Sequence, residues 1–221
     1  MTDAPIDPLV IIELTNLNAA GKLKELAQHP QLGMKPEWVE ELAQNKDPEV
    51  RCSLARNPAI GVLSEVVDGL SIDKDPSVRW FLAKNPAVAA SGKAMETLAT
   101  DEDPDVRRYL AENPAIANFP EIVDKLSIEK DAWVRSCLAQ NTALANCSKI
   151  LTKLAKDKNP TVRAYLARNP AIASYPEIVE KLATDENSWV HRNLALNPAI
   201  PTSTASNAQW NTQPARTAPT L

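Results

Sequence analysis

The sequence predicts an all-α fold, an α-solenoid of about six to seven copies of a 28-residue two-helix repeat. Three observations predict it. The phrase Leu-Ala-x-Asn-Pro returns at a fixed step of 28, with its asparagines at Asn57, Asn85, Asn113, Asn141, Asn169 and Asn197 and His29 in the same place in an earlier copy. Upstream of it stands Asp-Pro-x-Val-Arg, starting at Asp47, Asp75, Asp103, Asp131, Asn159 and Asn187. The 221 residues also hold only five glycines against eighteen prolines. That ratio suits short helices with proline-marked ends better than hairpins, which need glycine turns.

Each copy opens with an N-cap. Asp75 offers a carboxylate to free backbone N–H groups, and Pro76 follows at the first helical position, where its missing N–H costs nothing. Val78, Leu82 and in part Phe81 then share one face by the three-and-four spacing. The helix stops at Asn85, because a residue before proline is pushed out of the α region. Ala87-Val88 leads into a shorter second helix. Its start is clearest at Pro120-Glu121 and Pro176-Glu177, where an acid falls in the first turn, and it ends near a repeated leucine from Leu42 to Leu182. One such pair cannot bury its apolar face alone, so neighbouring copies must stack into a continuous core. Its columns are the valines Val50 to Val190 and the leucines Leu26 to Leu194.

The domain reading follows. Residues 1–18 lack the motif and suit a capping segment, 19–200 carry the repeats, and 201–221, rich in Ser, Thr and Pro, suit a flexible tail in which Trp210 is a candidate anchor.

The strings DPSVRWFLAKNPAV and DPDVRRYLAENPAI resemble the leucine-rich repeat variant family, a bacterial branch of HEAT-like α-helical repeats. The resemblance implies a right-handed superhelix in which α-helices alternate with short 3₁₀-like helices, and a role as an interaction module. The step of 28 exceeds the family's usual length, which points to a fuller second helix. Some members hold an iron–sulfur centre in an N-terminal cysteine cluster. Here the first cysteine is Cys52, inside a repeat, so that function does not carry over and no cofactor is expected.

Composition narrows the function classes. The chain is 44% hydrophobic and 24% charged with a net charge of -4, which disfavours a nucleic-acid partner. No apolar run approaches the ~20 residues of a membrane span, and no basic-then-apolar leader is present. Three cysteines without paired spacing do not form a disulfide framework, and a cytoplasmic protein, monomeric or weakly oligomeric, is expected.

Two residue sets are candidates for binding. Arg51, Arg79, Arg107, Arg135 and Arg163 recur at one position, and stacking places them in a row. Such a row could grip phosphates, the alternative reading, but Asp and Arg recur together in four of the five copies, so a structural ladder to the N-cap aspartates is favoured. The other set is a variable stripe on the first helices. Its positions run Glu49-Cys52-Arg56, Ser77-Trp80-Lys84, Asp105-Arg108-Glu112, Trp133-Ser136-Gln140, Thr161-Ala164-Arg168 and Trp189-Arg192-Leu196. Their surroundings are nearly fixed while they change freely, so stacking does not dictate them. Trp80, Lys84, Arg108, Trp133, Trp189 and Arg192 are the candidate partner-binding residues, being of the types that anchor interfaces.

Cys137 and Cys147 stand in aromatic columns and read as small core residues; His29 and His191 have no ligand-type neighbours at metal spacing. The asparagines at the helix corners are expected to cap the next helix and bond across to the next repeat. The expected function is therefore a non-catalytic scaffold for a protein or peptide. A HEAT-like chromophore lyase subunit is a further alternative, carried by fold analogy alone.

Overall fold

A computed structural model of the chain describes residues 20–201. The expected capping segment and nearly all of the expected tail, Trp210 included, lie outside the described residues. Among those residues the chain is all-α, with thirteen α-helices, six 3₁₀ turns and no strand. Neighbouring helices pack in sequence order, copy upon copy.

The first helices are Ala20–Ala27, Pro48–Arg56, Pro76–Lys84, Pro104–Glu112, Ala132–Gln140, Pro160–Arg168 and Ser188–Ala195. From Pro48 onward each starts as the sequence predicts: the side chain of Asp75, for example, accepts from the backbone N–H of Ser77 at 2.8 Å, ahead of Pro76. The five helices from Pro48–Arg56 to Pro160–Arg168 each stop at an asparagine in extended geometry, such as Asn85 at φ -80° and ψ 125°.

Between the two α-helices of each copy lies a third element. The 3₁₀ turns Leu32–Met34, Pro58–Val62, Pro86–Ala90, Pro114–Asn118, Thr142–Asn146 and Pro170–Ser174 replace the plain corner expected between two helices. From Pro58 onward the corner asparagine caps this turn, as when Asn85 Oδ1 accepts from Ala87 N–H at 3.0 Å. The turns stack on their equivalents, and at the first such contact Gly33 leaves no room for a Cβ against the Ala59 carbonyl. The second helices are Pro36–Ala43, Ser64–Ser71, Gly92–Ala99, Pro120–Leu126, Ser148–Leu154 and Pro176–Ala183. They are α-helices of seven or eight residues, no longer than the first helices.

The core is a run of repeated columns. Val50, Val78, Val106, Val134, Val162 and Val190 are fully buried, and the leucines from Leu54 to Leu194 stand beside them. Ile60, Val88, Ile116, Leu144 and Ile172 bring each 3₁₀ turn into the same core. First helices approach their neighbours more closely than any other row. Burial on this scale is the main favourable term in folding, and here each copy supplies half of every shared layer.

Two buried polar ladders tie the copies together. In one, each asparagine amide reaches back a full repeat: Asn113 Nδ2 donates to the carbonyls of Ala83 at 2.7 Å and Asn85 at 3.1 Å. The pattern repeats from Asn57 to Asn197, so the cross-repeat bond runs to the preceding copy rather than the next one. Buried carbonyls that a 3₁₀ corner would orphan are thereby satisfied.

The other ladder is ionic. Arg51 Nε donates to Asp73 Oδ2 at 2.6 Å and Nη2 to Asp73 Oδ1 at 2.9 Å, while Nη1 donates to the carbonyl of Asn45 at 2.7 Å. Arg79, Arg135 and Arg163 make the same fork to Asp101, Asp157 and Asp185. The partner is not the N-cap aspartate expected from sequence but the acid two residues before the cap of the following copy. That acid also accepts from the N-cap residue's own N–H, as Asp73 does from Asp75 at 2.9 Å, so a single carboxylate shapes the turn and holds the arginine.

Candidate functional site

The variable stripe lies on the row of first helices, and its three positions differ sharply in environment. The middle position faces the seam between neighbouring helices. Cys52, Ser136 and Ala164 are buried there, Trp80 and Arg108 are half-buried, and only Arg192 is exposed. The outer positions face solvent.

Trp80, expected on the open surface, stacks on Phe81 with ring centroids 4.4 Å apart and on Tyr109 of the next copy at 5.2 Å. Its indole Nε1 is buried without a hydrogen-bond partner among the described residues. Trp133 and Trp189 are different. They remain 54% and 42% exposed, and both lean on Tyr165 between them, at 6.2 Å and 6.0 Å. Three consecutive copies thus present Trp133, Tyr165 and Trp189 as a tilted, edge-on aromatic run.

Cations gather around the other aromatic group. Lys84 Nζ lies 5.6 Å from the Tyr109 ring centre and the Arg108 guanidinium 5.3 Å from it. Arg108 also meets Asp105 at 3.2 Å. Arg56, which the sequence reading placed in the stripe but did not single out, lies over Phe81 with its guanidinium 3.5 Å from the ring centre. Phe81, Tyr109 and Tyr165, read as core from sequence, are half-buried and form the floor of the face. No helical spacing within one copy signals this, because adjacent residues on a helix do not normally face each other; stacking of copies brings Tyr109 against Trp80 and Phe81 beneath Arg56.

A groove of about 490 Å³ opens at the C-terminal ends of the helices Pro48–Arg56 and Pro76–Lys84, lined by Arg56, Pro58, Phe81, Lys84, Asn85 and Pro86.

The arginine row is placed elsewhere. Arg51, Arg79, Arg135 and Arg163 are buried with their carboxylate partners, and Arg107 is half-buried against Glu129 at 3.1 Å. Hydrogen bonding to Asp73, Asp101, Asp157 and Asp185 raises the pKa of these four arginines further. In Asp73, Asp157 and Asp185 burial opposes ionisation, but the arginine hydrogen bonds and the backbone N–H outweigh it and hold each carboxyl below its ordinary range.

The two buried thiols, Cys52 and Cys137, are poor nucleophiles. Burial, with the nearby charges of Asp75 and Glu49, pushes the Cys52 thiol up to about 11, and burial with a hydrogen bond to Glu112 raises Cys137 further still. Among the described residues no three His, Cys, Asp or Glu side chains gather as metal ligands would. No described helix is long and apolar enough to cross a membrane. Compared with known proteins, the chain matches no family model and no curated protein.

Proposed function

We propose that this chain is a non-catalytic scaffold that binds a protein or peptide along the face of its first helices. In this reading the stacked copies form a right-handed α-solenoid of the leucine-rich repeat variant kind, working in the cytoplasm. The observation that carries it is the pair Trp133 and Trp189, two large apolar side chains left substantially in water on either side of Tyr165. Neither ring is part of the buried core, which is made of the valine, leucine and isoleucine columns. Partly exposed tryptophans on a rigid surface are typical anchors of protein interfaces.

The alternative, a phosphate grip by the arginine row, draws less support. Four of the five guanidiniums spend Nε and Nη2 on a carboxylate and Nη1 on a backbone carbonyl, which leaves little to offer a nucleic-acid backbone.

Capture from a lysate of the source cell tests the reading, with the wild-type chain and a Trp133→Ala/Trp189→Ala variant of unchanged circular dichroism as baits. A protein held by the wild type and lost by the variant is the expected result. Equal capture by both would remove the tryptophans from the interface and with them the reading.

A further inference from the structure

We propose that the groove between the first helices Pro48–Arg56 and Pro76–Lys84 is a docking site for an extended acidic peptide segment with an apolar residue between two carboxylates. The proposal rests on the first-helix face being the binding face and names the partner chemistry of one end of it.

The groove has an apolar floor and a cationic rim. Phe81, Pro58 and Pro86 form the floor, and Arg56 and Lys84 stand at the rim, one from each of two adjacent copies. Neither cation has a carboxylate within ion-pair distance among the described residues. Arg56 instead lies over Phe81, and Lys84 over Tyr109, beside Arg108, whose charge is offset by Asp105 at 3.2 Å.

Helix-end electrostatics alone does not explain these two cations. A positive charge does favour a helix C-terminus. Yet the same column continues as Glu112, Gln140, Arg168 and Leu196, so the fold accepts an acid, an amide or an aliphatic chain there. The positive stretch is therefore a property of two copies, bounded beyond Arg108 by Glu112. An acidic segment is its complement in charge, and an aliphatic side chain fits the floor.

Spacing sharpens the description. Packed helices lie roughly 8–10 Å apart, and an extended polyproline II chain advances about 3.1 Å per residue with three residues per turn, so positions three apart share one face. Carboxylates three positions apart, with the apolar residue between them, therefore reach Arg56 and Lys84 together. A single-stranded nucleic acid fits less well. It needs free ring faces to stack on, whereas Trp80 is already stacked with Phe81 and Tyr109, and Arg56 covers Phe81.

The test is fluorescence anisotropy with the full chain and a labelled peptide containing Glu-Leu-Ser-Glu. Controls are its double-glutamine analogue, a version with the two glutamates adjacent, and a short labelled oligothymidine. The expected result is saturable, salt-sensitive binding of the first peptide alone, weakened roughly ten-fold or more in an Arg56→Gln/Lys84→Gln variant. That variant changes only rim side chains, and unchanged thermal unfolding will verify its fold. Equal binding of the glutamine peptide, or equal binding by the variant, would overturn the proposal. So would tighter binding of oligothymidine, which would assign the groove to nucleic acid. Sedimentation showing a dimer split by the same substitutions would assign it to a second copy of the chain. Failure here with capture still dependent on Trp133 and Trp189 would remove the acidic groove and leave the scaffold; failure of that capture with the peptide bound would do the reverse.

Discussion

Arg135 reaches 22 residues along the chain to grip Asp157 in a two-pronged fork, Nε to Oδ2 at 2.6 Å and Nη2 to Oδ1 at 2.8 Å. Its third nitrogen, Nη1, donates to the carbonyl of Glu129 at 2.6 Å, at the loop that opens its own copy. One side chain thus fastens the start of one copy to the start of the next, with 6% and 9% of the two side chains exposed. Removing one partner leaves the other charge buried and unpaired, whereas removing both does not. Asp157→Asn or Arg135→Met alone is expected to lower the unfolding free energy by about 3–5 kcal/mol. The Arg135→Met/Asp157→Leu double variant is expected to lose less than either, and urea unfolding of all three measures it. Equal, additive losses would mean that the pair is not coupled.

Glu129 breaks the pattern and gives a second prediction. Asp73, Asp101, Asp157 and Asp185 are the other acids of its column, which begins at Asn45. The longer side chain meets Arg107 Nε at 3.1 Å, yet that N–H is buried without a well-formed hydrogen bond. It also accepts from the adjacent Lys130 N–H instead of the residue two further on. Glu129→Asp is expected to restore both the fork and the turn, raising stability by roughly 0.5–1.5 kcal/mol. A thermal midpoint that falls would refute this.

The ionic ladder also fixes how stability responds to acid. Asp73, Asp157 and Asp185 have pKa values lowered by folding, so they bind protons less readily in the folded chain than in the unfolded one. Their contribution is complete above the unfolded carboxylate value of about 3.9 and is lost as pH falls through the lower folded values. Asp185→Asn is therefore expected to be less stable than wild type at neutral pH, with the gap closing below about pH 4. Urea midpoints of both proteins across that range provide the check; a gap independent of pH would show that the carboxylate charge contributes nothing.

The repeat made most of this architecture legible before any coordinates. Identical spacing located the first helices, their caps, their asparagine stops and the buried valine and leucine columns. Two things stayed hidden for physical reasons. Asp73 and Asp75 are both acidic and two residues apart, and only the offset between stacked copies decides which one Arg51 meets. The 3₁₀ element, which the family resemblance implied, could not be placed from the residues themselves, because Asn-Pro-Ala-Ile is too short to show a period of its own. At the candidate site, Trp80 stands two residues after its valine, in the middle column of the stripe, whereas Trp133 and Trp189 stand one residue before theirs, in an outer column, and the sequence alone does not say which column faces the seam. The middle column faces it, so Trp80 stacks on Phe81 and on Tyr109 of the following copy, while the outer column leaves Trp133 against Tyr165 alone among the aromatic rings.

That difference predicts opposite outcomes for the same substitution. Trp80 is half-buried in a stack that joins two copies, so Trp80→Ala opens a void against Phe81 and Tyr109 and uncovers the seam beneath. A loss of about 2 kcal/mol or more is expected. Trp133 touches Tyr165 alone among the aromatic rings and is 54% exposed, so Trp133→Ala should cost roughly 1 kcal/mol or less. Trp189, 42% exposed on the other side of Tyr165, should behave like Trp133. Chemical unfolding of the three single variants measures the contrast, and comparable losses in all three would mean that Trp133 and Trp189 close the seam as Trp80 does. A side chain that can be removed at little cost to the fold, yet keeps a large apolar ring in water, is available for a partner. Small losses at Trp133 and Trp189 would therefore strengthen the case that their side of the face binds, and a small loss at Trp80 would extend that face across its seam.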